Sequence, residues 1–160
     1  MSTIDAQTSS APHVDGPPPH LLLVRAPYYR EVVEGLTTGA ERILREASAT
    51  FECLDVAGAL ELPQAIRIAV RGERRFDGFV VLGCVVKGET DHYDHICRET
   101  MAGLMHVALQ FGLAVGTGLL TVHTIDQALA RSGEDGPNKG AEAAVASLLQ
   151  IGAARRFGVV

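Results

Sequence analysis

Cysteine is scarce in this chain, and the number and placement of the cysteines do not suggest disulfides. The 160 residues include three cysteines, an odd number. Cys53 and Cys84 lie within apolar runs typical of strands, so we expect reduced thiols in the core. This usage indicates a reducing compartment, and we expect the protein to be cytoplasmic.

Long apolar runs are absent as well. No run approaches the roughly twenty residues that a membrane-spanning helix requires. The first residues have neither the basic start nor the apolar centre of a secretory signal. We therefore expect a soluble, unexported protein with no membrane partner.

Positive charge is sparse and scattered. The chain has 14 Lys and Arg residues against 19 Asp and Glu residues, for a formal net charge of −5. A nucleic-acid surface normally needs a basic patch, which supplies most of the affinity. We therefore expect no nucleic-acid partner and predict small-molecule ligands.

The motifs of nucleotide-binding and zinc enzymes are missing too. Gly116-Thr117-Gly118 lacks the third glycine of a dinucleotide fingerprint, and residues 83–87 lack the spacing of a P-loop. No HExxH pattern occurs, and two histidines three residues apart, His92 and His95, are more typical of a solvated surface than of a zinc site. These absences disfavour a nucleotide cofactor and a metal ion.

The first 19 residues differ in composition from the rest. They are rich in Ser, Pro and Ala, contain no Lys or Arg, and end in three successive prolines. This composition predicts a disordered leader over residues 1–19. The chain as a whole is 47% hydrophobic, enough for one compact core, so we predict a single domain over residues 20–160.

Strand and helix patterns alternate after the leader. The uninterrupted apolar run at 78–86 predicts a strand covered on both faces, which is typical of parallel sheets. The pattern predicts strands at 21–26, 50–56, 78–86 and 114–122, and helices at 28–47, 60–71, 92–111 and after Thr124 and Asn138. This order predicts an α/β fold whose ligands bind beyond the carboxyl ends of the strands.

The helix at 92–111 has the clearest periodicity. Three- and four-residue steps predict one continuous core stripe made of Tyr93, Ile96, Cys97, Thr100, Met101, Leu104, Val107, Ala108 and Phe111. Gly112 would end this helix in the left-handed conformation. Further on, Thr124 with Gln127 matches a capping box, and Asn138 is a candidate N-cap.

The loop after the third strand is the strongest candidate site. Gly88, Glu89 and Thr90 lie between a strand end and a helix start, where free N–H groups and the helix dipole attract an anion such as phosphate. Alternatively, Thr90 or Asp91 caps the helix, and both roles are compatible. His92 follows in the first turn, as a candidate general acid/base or as a solvated histidine.

Other candidates follow the remaining strands. Tyr28 can stack on a planar ligand, although packing or simple exposure is the more common role of a tyrosine. The GALELP segment at 58–63 exposes backbone groups and the Glu61 carboxylate. This carboxylate can bind hydroxyl groups, or it can simply be a helix-start carboxylate that the helix dipole stabilises. Arg131 and Lys139 flank a polar turn and can bind a phosphate and a carbonyl oxygen, or be ordinary surface charges.

Four segments occur in order at the strand ends: GALELP, GCVVKGETDHYDHIC, LLTVHTIDQALARSG and NKGAEAA. Together they are a more specific signal than any one of them alone. In these segments the chain resembles the lumazine synthases, which act in riboflavin biosynthesis. The resemblance covers residues 21–149. We expect a flavodoxin-like fold, a three-layer α/β/α sandwich around a four-stranded parallel sheet.

The resemblance implies roles for individual residues. Tyr28 would stack on a pyrimidine ring, whose ribityl chain would bind at Ala59, Leu60 and Glu61. Arg131 and Lys139 would come from a neighbouring subunit. Substrate would also contact Val85, Val86, Lys87, Thr117 and Lys139, phosphate would lie against Gly88, Glu89, Thr90 and Arg131, and His92 would transfer protons.

This chain departs from the family's usual pattern at three positions. The family often has an arginine at the position of Lys87, a proline or small residue at Asp91, and an aromatic at Thr117. We expect these departures to affect affinity more than chemistry. His106 and His123 match no functional position and are interpreted as ordinary polar residues.

The implied reaction condenses 5-amino-6-(D-ribitylamino)uracil with 3,4-dihydroxy-2-butanone 4-phosphate. The products would be 6,7-dimethyl-8-ribityllumazine, phosphate and water, formed without a cofactor or a metal. The alternative is a related protein that binds riboflavin or a pteridine without turnover. A metal-dependent hydrolase built on His92 and His95 is a more distant alternative.

The resemblance also implies a homo-oligomer, because the active site would be shared between subunits. Members of the family form pentamers or larger shells of pentamers. The three prolines at 17–19 cannot donate the hydrogen bonds of a strand added to a neighbour. With the turn at 133–137, they favour a free pentamer over a shell.

Overall fold

The computed structural model describes residues 10–133 and 136–159. Four parallel strands form a sheet in the order β2-β1-β3-β4. The strands are β1 (His20–Ala26), β2 (Thr50–Asp55), β3 (Gly78–Val86) and β4 (Ala114–Val122). The helices are α1 (Arg30–Glu46), α2 (Glu61–Arg71), α3 (His92–Phe111), α4 (Ile125–Leu129) and α5 (Lys139–Arg156). The predicted elements are present, with ends shifted by at most two residues.

Helices cover both faces of the sheet. α1 and α5 pack on one face, and α2 and α3 pack on the other. The predicted flavodoxin-like, three-layer α/β/α arrangement is therefore confirmed. On β1, Leu21 and Leu23 face the α1 and α5 core while Leu22 and Val24 face the α2 and α3 core. A strand that serves two cores has no polar face, which explains the uninterrupted apolar runs.

Two glycines allow α5 to lie unusually close to its neighbours. A Cβ at Gly116 on β4 would lie 1.8 Å from the carbonyl oxygen of Ala143, and one at Gly140 would lie 1.9 Å from that of Leu36 on α1. Any larger residue would force the helix away from the sheet or from α1. These contacts fix the start of α5, where Lys139 is located.

The predicted helix ends are confirmed. Gly112 ends α3 in the left-handed conformation with φ 64°. The Thr124 side chain accepts a hydrogen bond from the N–H of Gln127 at the start of α4. The Asn138 side chain accepts hydrogen bonds from the N–H groups of Gly140 and Ala141, which caps α5.

The prediction that Cys53 is a core thiol is wrong. Cys84 is buried, but Cys53 is exposed. β2 is an edge strand, and most of its residues are partly or fully exposed. The apolar run around Cys53 resembled that of a central strand, but sequence does not tell which strand lies at the edge.

The predicted core stripe of α3 is only partly buried. Thr100, Leu104 and Val107 are buried, whereas Met101 is 43% exposed. Tyr93 and Cys97 are half-buried. The periodicity identified residues on one side of the helix, but α3 touches the sheet only along part of that side.

The described part of the predicted leader, residues 10–19, has no regular secondary structure but contacts the folded body. Arg155 on α5 donates hydrogen bonds to the carbonyl oxygens of Asp15 (2.7 Å) and Pro17 (2.8 Å). Val14 packs against the core, and Pro19 is buried. Residues 1–9, and 134 and 135 of the predicted turn, lie outside the described residues. The division at residue 19 stays a prediction.

Within the described ranges, none of the helices combines the length and the apolar character needed to cross a membrane.

Candidate active site

The winding of the sheet places a crevice between the carboxyl ends of β1 and β3. The chain passes from β1 outward to β2 and then crosses back to β3 on the other side of β1. Ligands of open α/β sheets bind at such a switch point. Tyr28 follows β1 and Lys87 follows β3, so the structure brings the predicted aromatic ring and the predicted anion loop to this crevice.

The start of α3 has no side-chain cap. Asp91 occupies the N-cap position but makes no capping hydrogen bond through its side chain. Its carbonyl oxygen accepts the N–H groups of Asp94 (3.1 Å) and His95 (3.2 Å). The capping alternative is therefore wrong for this helix. The first N–H groups of a helix lack intrahelical acceptors, so this end is suited to an anion.

The loop leading into α3 is open to solvent. The N–H of Lys87 donates to the carbonyl oxygen of Val122 (2.9 Å), which continues the β3 and β4 pairing to the loop's first residue. Gly88, Glu89 and Thr90 are exposed. A Cβ at Gly88 would meet nothing within 4 Å. The loop thus leaves room for a ligand against its backbone.

His92 is the first residue of α3 and is exposed. Its imidazole makes no hydrogen bond, ion pair or ring contact with a described residue. The next histidine, His95, interacts with Arg98 at 3.0 Å. Across the described ranges, no group of three His, Cys, Asp or Glu side chains could hold a metal ion. The geometry leaves His92 available for proton transfer.

The predicted pyrimidine-binding residues line the same edge of the sheet. Tyr28 is 78% exposed, and its ring meets that of Tyr29 edge-on at 5.2 Å. Glu61 lies in the first turn of α2, after half-buried Ala59 and exposed Leu60. Val85 and Val86 are half-buried at the end of β3.

Thr117, Arg131 and Lys139 form a separate group beside β4. All three line a groove of about 240 Å³ that runs along residues 117–122 of this edge strand. Arg131 Nη1 donates to the carbonyl oxygen of Gln127 (2.8 Å). Lys139 Nζ contacts both carboxylate oxygens of Glu142, at 2.6 and 2.8 Å.

The predicted site residues therefore fall into two groups, which we call the crevice group and the β4-edge group. The crevice group lies at the carboxyl ends of β1, β2 and β3 and comprises Tyr28, Ala59, Leu60, Glu61, Val85, Val86, Lys87, Gly88, Glu89, Thr90 and His92. The β4-edge group comprises Thr117, Arg131 and Lys139. The crevice group has no lysine or arginine besides Lys87 to neutralise a phosphate, and Arg131 belongs to the other group.

Comparison with known families gives a single answer. The family model described as 6,7-dimethyl-8-ribityllumazine synthase matches residues 18–154. The chain belongs to the 6,7-dimethyl-8-ribityllumazine synthase family. Proteins named 6,7-dimethyl-8-ribityllumazine synthase from Bartonella tribocorum and Agrobacterium fabrum are 40% and 41% identical to it. The alignments cover 88% of this chain in both cases and 93% and 97% of those proteins.

Membership of the lumazine synthase family confirms the predicted enzyme class, a transferase of riboflavin biosynthesis. A further relative, named 6,7-dimethyl-8-ribityllumazine synthase 1, from Rhizobium meliloti, is 40% identical over 88% of this chain and 95% of its own length.

The sequence interpretation missed a cluster beside the predicted lumazine synthase site. The periodicity of α3 predicts Tyr93 in the core stripe, and the sequence gives no functional position for His123. In the structure the two rings meet edge-on at 6.3 Å, and the Lys87 ammonium lies 5.8 Å from the centre of the Tyr93 ring. The adjacency of Tyr93 to His92 was the one available signal. Its partners come from β4 and the loops after β3 and β4, so periodicity on α3 could not indicate them.

The tyrosine hydroxyl of this cluster is also engaged. It interacts with the side chains of Thr121 on β4 and Cys97 one turn further along α3. Burial, more than any neighbouring charge, raises the pKa of Tyr93 above its ordinary value. Burial likewise raises the pKa of the Cys97 thiol. Both groups are therefore protonated at neutral pH.

Proposed function

We propose that this chain condenses 5-amino-6-(D-ribitylamino)uracil with 3,4-dihydroxy-2-butanone 4-phosphate to give 6,7-dimethyl-8-ribityllumazine, phosphate and water. One observation carries the proposal: an open loop of Gly88, Glu89 and Thr90 runs into an uncapped helix start whose first residue is an exposed histidine. An anion site and a proton-transfer group therefore adjoin, as a reaction that expels phosphate requires.

The phosphate of the ketone substrate would lie against the loop. Backbone N–H groups at the start of α3, together with the positive end of its dipole, would bind the phosphate oxygens. The guanidinium of Arg131 would supply the missing positive charge, because its planar donors match a phosphate in pairs. In this role Arg131 would leave the carbonyl oxygen of Gln127 or share its donors with it.

The pyrimidine would bind at the other end of the crevice. The Tyr28 ring is exposed enough to stack on it, and Val85 and Val86 provide an apolar border. The Glu61 carboxylate would accept hydrogen bonds from the ribityl hydroxyls. The backbone groups at Ala59 and Leu60 would accept or donate further hydrogen bonds with them. Lys87, Thr117 and Lys139 would complete the contacts with the substrates.

His92 would move the protons of the reaction. An amine of the uracil adds to the ketone, water leaves to give an imine, and loss of a carbon-bound proton allows phosphate to depart. The resulting enol takes up a proton at its terminal carbon and becomes a ketone, and attack of the second amine on this ketone closes the ring with loss of a second water. A neutral imidazole can accept the carbon-bound proton and return it to a leaving oxygen. Orientation of the two substrates would contribute further, up to about 7 kcal/mol or more in the best cases.

The separation of the crevice group from the β4-edge group supports a site built from two chains. Arg131 and Lys139 of one subunit would complete the crevice of its neighbour, as the resemblance implies. We propose a homopentamer, with small-molecule substrates and no nucleic-acid or membrane partner, acting in the cytoplasm.

The test of the function is a direct assay. The purified protein is mixed with both substrates, and lumazine formation is followed by absorbance, for the wild type and for His92→Ala, Arg131→Ala and a control, His106→Ala. We expect kcat to fall by about a hundredfold or more for His92→Ala, because a general acid/base typically contributes that much. His106 is exposed farther along α3 and should be replaceable without effect.

A folded wild-type protein that yields product only at the uncatalysed rate would contradict the proposal. If that protein still bound riboflavin or a related pteridine, the chain would be a binding protein on the same fold.

A further inference from the structure

The first two turns of α3 extend beyond the hydrophobic core. The buried residues of this helix begin at Thr100, and residues 92–99 are half-buried or exposed. The backbone N–H groups of Asp94 and His95 donate to the carbonyl oxygen of Asp91, and the Arg98 side chain contacts His95 and Glu99 of the same helix. The fully buried part of the helix therefore begins only after the segment that carries His92.

Tyr93 supplies the contacts that this segment otherwise lacks. In the described part of the chain, the ring contacts and polar side-chain contacts that join residues 92–99 to the sheet and its loops all involve Tyr93. They reach Lys87 after β3, Thr121 on β4 and His123 after β4. The ring is thus fixed from two strands at once.

The contacts of Tyr93 have two separable parts. The Lys87 ammonium lies over the face of the ring, within the range of a cation–π interaction. The rings of Tyr93 and His123 meet edge-on. The hydroxyl has Thr121 and Cys97 as its polar neighbours. Cys97 lies on α3 itself, so Thr121 is the polar neighbour of this hydroxyl on the sheet.

We infer that Tyr93 is a positioning residue, which fixes the first turn of α3 and thereby sets where the imidazole of His92 and the adjoining anion loop stand. Successive helical residues are about 100° apart, so a rotation that releases Tyr93 from the sheet must also turn His92. Lys87, at the start of the loop, is held by the same ring. The catalytic consequence rests on the function proposed above, whereas the mechanical role does not.

Kinetics of three variants test the catalytic consequence. Tyr93→Leu removes ring and hydroxyl, Tyr93→Phe keeps the ring, and Thr121→Val removes the hydroxyl's partner on β4. We expect kcat for Tyr93→Leu to fall on the order of tenfold to a hundredfold, as small misplacements of catalytic groups do. The KM for the ketone phosphate should rise, while the KM for the aminouracil, bound elsewhere, should not change.

The variants should also show coupling. Tyr93→Phe should retain much more activity than Tyr93→Leu, and Tyr93→Phe and Thr121→Val should have non-additive effects because they remove the two hydroxyl groups of one interaction. Thr100→Val is the matched control, since it removes a hydroxyl on α3 that has no hydrogen-bond partner among the described residues. Equal loss of kcat in all variants, with both KM values unchanged, would indicate a smaller folded fraction and would overturn the positioning role.

Hydrogen–deuterium exchange tests the mechanical role without any catalysis. In the Tyr93→Leu protein, amides of residues 95–99 should exchange about tenfold faster or more, while those of residues 104–111 keep wild-type protection. Unchanged exchange at 95–99 would overturn the inference whatever the enzyme assay shows. Faster exchange in a wild-type protein that proves inactive would leave the inference standing and contradict only the proposed function.

Discussion

No contact or backbone angle in the described part of the chain requires a glycine at position 88. A Cβ there would meet nothing within 4 Å, and its φ lies outside the left-handed region. The residue is exposed in the loop before α3. A glycine in such surroundings is expected where a ligand approaches the backbone closely.

The substitution Gly88→Ala should therefore separate stability from binding. We expect an unchanged or slightly higher melting temperature, because alanine restricts the unfolded chain. The KM for the ketone phosphate should rise about tenfold, equivalent to about 1.4 kcal/mol of lost binding. Thermal melts and steady-state kinetics measure the two effects.

Gly116→Ala is the contrasting variant. Its Cβ would lie 1.8 Å from the Ala143 carbonyl oxygen, so it should destabilise the protein by about 1–3 kcal/mol or more through overpacking.

If Gly88→Ala bound the phosphate substrate as tightly as wild type, the loop would not be the phosphate site.

Cys84 makes stability depend on pH in the alkaline range. Burial raises the pKa of this thiol to about 11 from an ordinary value of 9.0. Between those values the native chain keeps a proton that the unfolded chain has lost, so the free energy of unfolding falls as pH rises. From pH 8 to pH 10 this thiol should account for a loss of about 1 kcal/mol.

Urea denaturation of the wild type and Cys84→Ala at both pH values measures this contribution. The decline between pH 8 and pH 10 should be smaller in the variant by that amount. Parallel declines in the two proteins would show that the Cys84 thiol titrates as it does in water.

At the scale of elements, Asn138 organises the connection between α4 and α5. Its Oδ1 accepts the N–H groups of Gly140 and Ala141, and its Nδ2 donates to the carbonyl oxygens of Gly35, Ser132 and Gly133. The side chain is nearly buried, with the residue 8% exposed. It therefore ties the start of α5 to α1 and to the turn that carries Arg131.

Asn138→Ala should lower the free energy of unfolding by about 2–4 kcal/mol, because it removes a helix cap and leaves buried carbonyl groups without donors. Asn138→Asp keeps the cap and removes the donors, so it separates the two contributions. Chemical denaturation at one protein concentration is the measurement. A loss below about 1 kcal/mol for Asn138→Ala, similar to that of an ordinary exposed cap, would contradict this account.

The elements were predictable because local sequence specifies them. The buried strand β3, the uncapped but polar start of α3 and the glycine at 112 all have signatures within a few residues. The exposure of Cys53 and Met101 was not predictable, because it depends on which elements lie at the edge of the sheet. The contacts of Tyr93 with Thr121 and His123 join segments nearly 30 residues apart, and single-residue periodicity carries no information about them.

At the scale of the whole molecule, the proposed site would be complete only with residues of a second chain. The crevice group offers the loop and His92, while Arg131 and Lys139 lie along the edge of β4. The resemblance placed residues of both groups in one site, but sequence alone could not show their separation. A closed ring in which each β4 edge meets the next crevice would complete every site.

The proposed pentamer has a definite mass. Five chains of 17.0 kDa should sediment as a species of about 85 kDa. A stable monomer would contradict the shared site, and a shell of about 1 MDa would contradict the free pentamer while leaving the shared site possible.

Complementation between two inactive variants tests the central claim most directly. His92→Ala and Arg131→Ala chains are mixed in equal amounts, unfolded and refolded together, and lumazine formation is followed by absorbance. If one chain supplies His92 and its neighbour supplies Arg131, random assembly should restore about a quarter of the sites. Activity no higher than that of the separately refolded variants would show that the two residues do not act in one shared site, and would contradict the account.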